Sequence, residues 1–283
     1  MKTTHLSIII AHYMPIDSEK INPLIKTLES INNQKNNYNI EIIIADDGSD
    51  YTKDITHNFN KKNSLKNDEK DVYIINTQKL NLWLKNKNIN SSLISNWVYI
   101  PKYIKCMSKA RVVNQAVKLS NSNYLCFLDD DNYFISDNSI ENIINLFKNY
   151  SLIIGQIKDN NGKYRSYSSY RVQGTTIAIK KNIIEDINGF GEWTEDFSCG
   201  VDSDLWIKLF NYFNKNKKLK ACYTNKFSTY DSYSKRWKKY TKFFKEIKLR
   251  KKFNELYNCK NYKNYRYNFS RQKQLWIENL INE

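Results

Sequence analysis

Two short runs of β-branched apolar residues, each leading into a polar turn, constrain this fold more than anything else in the chain. Leu6-Ser-Ile-Ile-Ile-Ala11 and Ile40-Glu-Ile-Ile-Ile-Ala45 have the length and composition of strands buried on both faces. Between them Leu24, Ile25, Leu28 and Ile31 recur at helical spacing, with Pro23 in the first turn, where its missing N–H is harmless. Strand, helix and strand at this distance form a βαβ unit with a parallel pair and a right-handed crossover. The pattern continues with a strand at Val72–Ile75, a helix at Lys109–Leu119 and a central strand at Tyr124–Leu128. A helix carrying Ile140, Ile143, Ile144 and Phe147 follows, then strands at Leu152–Ile157 and Gly174–Ile179 and a helix at Asp202–Phe213. Asn58–Lys70 reads as a fraying helix and loop, and Asn81–Tyr103 as an irregular insertion covering one edge of the site. The expected fold class is α/β, a Rossmann-like mixed sheet flanked by helices.

Composition excludes several alternatives. With 41% hydrophobic and 14% aromatic residues the chain is no disordered polyelectrolyte, and 7 Gly and 3 Pro in 283 residues are too few for a linker-rich or collagen-like protein. No apolar run approaches the roughly 18 residues of a membrane span. Leu6–Ala11 is shorter than a signal-peptide core of about 7–15 residues, so a cytoplasmic location is expected. Cys106, Cys126, Cys199, Cys222 and Cys259 are scattered, without a CxxC pair or a zinc template, which suits a reducing compartment. The net charge of +16 is unevenly spread: Lys235–Glu283 alone carries +11. The expected organisation is a main α/β domain over residues 1–225 and a basic, aromatic-rich helical extension over 226–283.

The candidate chemistry lies in acids at strand ends. In open α/β sheets ligands bind beyond the carboxyl ends of the strands, and here two strands run into Asp46-Asp47 and Asp129-Asp130-Asp131. One such pair is an ordinary turn. Two, with a third acidic cluster before a later helix, point to a site. Along an extended backbone Asp129 and Asp131 face one way and Asp130 the other, so Asp129 and Asp131 are placed to share a hard divalent cation, Mn²⁺ or Mg²⁺, bridged by a diphosphate.

These residues resemble the inverting glycosyltransferases of family 2, which have the GT-A fold. The resemblance rests on Ser7-Ile-Ile-Ile-Ala11, Glu41-Ile-Ile-Ile-Ala-Asp-Asp-Gly-Ser49, Lys109-Ala-Arg-Val-Val-Asn-Gln-Ala116, Tyr124-Leu-Cys-Phe-Leu-Asp-Asp-Asp131, Gly189-Phe-Gly-Glu192 and Gly200-Val-Asp-Ser-Asp-Leu205, in the family's order. It implies that Ala11, His12 and Tyr13 line the nucleotide-base pocket and that Asp46 and Asp47 contact base and ribose. Arg111, on the same helix as Asn114, would face the donor. Asp129 and Asp131 would be the metal-binding DxD pair and Asp130 would lie near the ribose or sugar. Gly174-Thr175-Thr176 would border the transferred sugar, and Asp202 would be the catalytic base.

Two departures from the family pattern matter. Val201 stands where a Glu usually precedes the base, and Glu195-Asp196 is an intact Glu-Asp pair that rivals Asp202; the helical run Leu205, Leu209, Phe210 favours Asp202. His5, His12 and His57 all lie in the first 57 residues, so Asp231 or water would replace a metal-binding His downstream of the base.

The implied reaction transfers a sugar, with inversion, from a nucleotide diphosphate donor, expected to be a UDP-sugar, to a hydroxyl of a glycan, glycoprotein or lipid-linked acceptor. Trp193 suits either acceptor stacking or loop packing. In the tail, Trp237, Tyr240, Phe243, Phe244, Ile247 and Leu249 alternate with Lys235, Arg236, Lys238, Lys239, Lys242, Lys245 and Lys248. Such a helix packs on the catalytic domain, meets anionic lipid or, least favoured, binds nucleic acid. The competing class is a non-catalytic membrane- or nucleic-acid-binding protein with a degenerate α/β domain.

Overall fold

The computed structural model describes residues 4–15, 22–35, 37–52, 72–76, 85, 94–101, 109–165, 173–197, 199–232, 243–258 and 276–281. The expectations for Asn58–Lys70, His57 and the residues from Lys235 to Lys242 lie outside these segments, as do Cys106 and Cys259.

The opening βαβ unit forms as the hydrophobic pattern requires. Strand β1 (Leu6–His12) pairs in parallel with β2 (Ile40–Asp46), joined through helix α1 (Pro23–Asn32). Asn22 caps α1 by accepting the Leu24 N–H, and Pro23 occupies the first turn. The mixed sheet continues through β3 (Tyr73–Asn76), β4 (Ile94–Tyr99), β5 (Tyr124–Asp129), β7 (Leu152–Lys158), β8 (Ile177–Lys180), β9 (Ala221–Asp231) and β10 (Ile277–Asn279), in the order β10-β9-β7-β8-β5-β1-β2-β4-β3, while β6 (Asn132–Phe134) pairs with β9. Helices α2 (Lys109–Leu119), α3 (Ser139–Leu146), α4 (Lys181–Asp186), α5 (Val201–Lys215) and α6 (Phe243–Tyr257) complete the described elements.

The sheet separates two apolar layers, as alternation along the strands demands. Ile9, Ile43, Leu125 and Phe127 pack with α2, α4 and α5 on one face, and Ile8, Ile10, Ile42, Ile44 and Leu128 with α1 and α3 on the other.

Two elements differ from the sequence reading. The stretch taken as an irregular insertion contains β4, a strand between β2 and β3 that brings buried Trp97 to the site. A bulge breaks its alternation, because the partners shift from Ile42↔Ile94 to Ile43↔Asn96 and skip Ser95. Strand β9 was also not expected; its register against β7 jumps from Gly155↔Thr224 to Gln156↔Ser228, so exposed Asn225 and Lys226 interrupt the apolar pattern. The expected boundary at 225/226 falls inside this strand, and β10 in the tail adds to it in parallel.

Candidate active site

The site forms where β1, β2 and β5 end together. Their register sets Ala11 against Ala45 on one side and Asp129 on the other, and His12 against Asp46. The loops leaving β1 and β2 are tied to each other: the Asp47 N–H donates to the His12 carbonyl at 2.8 Å, the Asp50 N–H to Met14 at 3.0 Å, and the Met14 N–H to Ser49 Oγ at 2.8 Å.

Two of the expected donor-binding acids serve this framework. Asp46 is fully buried and accepts from the Ser49 N–H at 2.8 Å, Thr52 Oγ1 at 2.6 Å and Trp97 Nε1 at 3.1 Å. Asp130 is buried too; its Oδ2 lies 2.5 Å from His12 Nδ1 and accepts from the Tyr13 N–H at 3.2 Å, while His12 Nε2 lies 2.6 Å from the Tyr51 hydroxyl. His12 and Asp130 thus face each other beneath the loop that carries Tyr13. Asp47 is buried at the end of β2.

The opposite side of the Asp129-Asp130-Asp131 run holds a mixed-charge cluster. Lys109 Nζ, from the first residue of α2, donates to Asp129 Oδ1 at 2.6 Å and lies 3.5 Å from the Gly174 carbonyl. Burial alone would push the Lys109 ammonium down, but the carboxylates of Asp129, Asp202 and Asp131 outweigh it and hold the group above its ordinary value. The Asp129 N–H donates to Thr175 Oγ1 at 2.7 Å. Asp202 lies in the first turn of α5, and its carboxylate covers Gly174 so closely that a Cβ built there would stand 1.9 Å from Oδ1. Asp129, Asp131, Asp202, Lys109 and Gly174 therefore share one neighbourhood. Lys109 was not singled out as a site residue in the sequence; the only signal was its place before the family-like Ala-Arg, since a Lys opening a helix is ordinary.

Arg111 and Asn114 turn to the loop that precedes α5. Arg111 Nη2 donates to Glu195 Oε2 at 2.7 Å. Burial pushes the Glu195 carboxyl up to about 7, opposed by Arg111 and assisted by Glu192 and Asp47. The Glu of the rival Glu195-Asp196 pair is thus held on Arg111. Asn114 donates to the Phe190 carbonyl at 2.9 Å and to Glu192 Oε1 at 2.8 Å, and accepts from the Phe190 N–H at 2.8 Å. Gly189 (φ +61°) passes so close to Asn114 that no side chain fits.

Asp204, two residues after the candidate base, is fully buried. Its Oδ1 accepts from Trp193 Nε1 at 2.9 Å and from the Tyr257 hydroxyl of α6, and Lys208 Nζ lies 3.0 Å from Oδ2 as an ion pair. Phe253, also fully buried, meets Trp193 edge to face at 4.8 Å. Trp193, in the 3-10 segment Glu192–Phe197, therefore packs against α6, and the described part of the basic tail seats Leu249, Phe253 and Tyr257 against the loop leading to Asp202.

Asp231 is engaged by Arg165, whose Nε also donates to Asp159 at 2.6 Å. Among the described residues no three His, Cys, Asp or Glu side chains gather as a metal-holding group, and Asp129 Oδ1 already carries the Lys109 ammonium. As arranged, these residues do not fit a divalent ion. Among the described residues no helix is long and apolar enough to cross a membrane.

Comparison with known proteins agrees with this architecture. The profile of glycosyl transferase family 2 matches residues 7–88 and 101–201. No curated protein sequence matches the chain significantly. Among solved structures, a mannosyltransferase, PcManGT from Pyrobaculum calidifontis in complex with GDP-Man and Mn²⁺, is 14% identical with a TM-score of 0.50, over 83% of this chain and 59% of that one. S. aureus TarS is 16% identical with a TM-score of 0.47, over 74% of this chain and 34% of that one. The chain thus spans less than two thirds of either protein, and at 14% identity the likeness to the mannosyltransferase is one of fold. With the family profile covering the strand-end acids, the Lys109 helix and the loop up to Val201, the chain belongs to glycosyl transferase family 2.

Proposed function

We propose that the protein transfers a sugar, with inversion, from a nucleotide diphosphate donor to an acceptor hydroxyl, and that Asp202 is the base. The observation that carries this reading is the Asp202 carboxylate lying over Gly174 beside the Asp129–Lys109 pair, at the carboxyl ends of the central strands β1, β2 and β5. Asp202 takes the acceptor hydroxyl proton as the oxygen bonds the anomeric carbon, and the bond to the diphosphate breaks with its electron pair leaving on the nucleotide. Ala11, Tyr13 and Asp47 line the nucleotide side. Asp46 and the His12–Asp130 pair hold that wall in shape, which gives their family-like positions a physical role. The acceptor is a hydroxyl of a glycan, glycoprotein or lipid-linked sugar.

The Mn²⁺ or Mg²⁺ expected on Asp129 and Asp131 has no step in this scheme, because Asp129 is already paired with the Lys109 ammonium. A panel of UDP- and GDP-sugars tests the proposal, scored for binding and for slow donor hydrolysis by the wild type and by Asp202→Asn. Donor binding by both with turnover by the wild type alone supports it; absence of binding to any donor overturns it.

A further inference from the structure

We propose that Lys109 is the built-in cation of the donor-diphosphate site, supplying from the protein the positive charge that a divalent ion would otherwise bring. The proposal rests on the glycosyl-transfer reading for its substrate class, and on the cluster's own geometry for the cation. Three carboxylates, Asp129, Asp131 and Asp202, are drawn to the end of β5, an arrangement that requires a compensating charge once it is partly removed from water. That charge is present: the ammonium donates to Asp129 Oδ1 at 2.6 Å, and its side chain is 18% exposed. It is also fixed from three directions. Lys109 opens α2, whose apolar face is anchored through buried Ala110, Val113 and Ala116. The Gly174 carbonyl lies 3.5 Å from Nζ, and the Asp129 backbone is held by Thr175. Asp231, placed by β6–β9 pairing across from Asn132 and thus next to Asp131, is bound by Arg165, so a fourth carboxylate near the cluster is likewise neutralised by a protein cation.

An ammonium fixed in this way needs no ion from solution to counter charge developing on a leaving diphosphate. A lysine serves as a point charge with three donors, so one on a carboxylate and one near a carbonyl leave a further donor for a phosphate oxygen.

The test compares wild type, Lys109→Arg and Lys109→Met. Free Mn²⁺ is followed by electron paramagnetic resonance, and UDP binding by calorimetry in chelator or in Mn²⁺. The wild type and Lys109→Arg should bind UDP equally well in chelator and in Mn²⁺, and should leave Mn²⁺ free. Lys109→Met should lose about tenfold or more in UDP affinity in chelator, recover it with Mn²⁺, and take up the ion. Uptake of Mn²⁺ by the wild type as tight as by Lys109→Met, or UDP binding by the wild type that disappears in chelator, overturns the proposal. The Mn²⁺ measurement needs no nucleotide. A protein that binds no nucleotide yet takes up Mn²⁺ only as Lys109→Met therefore refutes the transferase reading and retains the cation assignment.

Discussion

A methyl group at Gly174 should disable the protein without unfolding it. An added Cβ would stand 1.9 Å from Asp202 Oδ1 and 2.4 Å from its Cγ, where ordinary contact begins at 3.4 Å. The carboxylate must therefore retreat by about 1.5 Å. The displaced atoms are the far end of a rotatable side chain, so relief comes by moving Asp202 rather than the backbone. Small overpacking of this kind costs about 1–3 kcal/mol, which a folded domain of this size tolerates. The chemical cost is larger, because misplacing a reacting group by about 1 Å lowers a rate by about a hundredfold. Gly174→Ala should retain a cooperative unfolding transition and nucleotide affinity within about threefold while kcat falls about a hundredfold or more. Single-turnover transfer with the nucleotide-sugar that the wild type uses, alongside calorimetric binding and thermal melting, separates the three quantities. Transfer by Gly174→Ala at the wild-type rate would show that Asp202 does no chemistry where it lies and would return the base assignment to Glu195 or Asp196.

Further outcomes follow from other contacts. Asp202→Asn should lower transfer by about 10²–10⁴-fold with donor binding retained, whereas Glu195→Gln should cost far less; equal losses in single-turnover assays would refute the choice between them. Phe253→Ala should destabilise by about 3–5 kcal/mol in denaturant titration, since its ring is fully buried against Trp193, and Tyr257→Phe by about 1–3 kcal/mol through loss of a donor to buried Asp204. An unchanged midpoint in both would mean that the tail does not brace the loop. Glu195 gives a pH signature: its folded pKa is raised from 4.5 to about 7, so the folded state binds the extra proton. Stability should therefore fall as pH rises through that window, by about 1–3 kcal/mol in all, and Glu195→Gln should lack the slope. A flat wild-type profile between pH 4.5 and pH 7 would contradict the burial of that carboxyl.

The elements legible in the sequence were those with uninterrupted patterning. Leu6–Ala11, Ile40–Ala45 and the Lys109–Leu119 helix sit where alternation and 3.6-residue periodicity place them, because each buries a continuous apolar face. Strands β4 and β9 were illegible because bulges at Ser95 and at Asn225–Lys226 put polar residues out of phase, and partner strands supply the hydrogen bonds that local pattern does not predict.

The acids divide along the same line. Sequence alone determined that Asp46-Asp47 and Asp129-Asp130-Asp131 follow the ends of two buried strands, because each apolar run is too short for a helix and breaks off at the acids. It could not say which carboxylates face the cleft. Tertiary structure decided that Asp46 is consumed by Ser49, Thr52 and Trp97, that Asp130 faces His12, and that Asp129 meets Lys109 beside Asp202. The reason is physical. A buried carboxylate takes its role from whichever donors reach it, and beside the local Ser49 and Thr52 the partners Lys109, Trp97 and His12 arrive from positions 20, 51 and 118 residues away in the chain, brought together only by sheet register and helix packing.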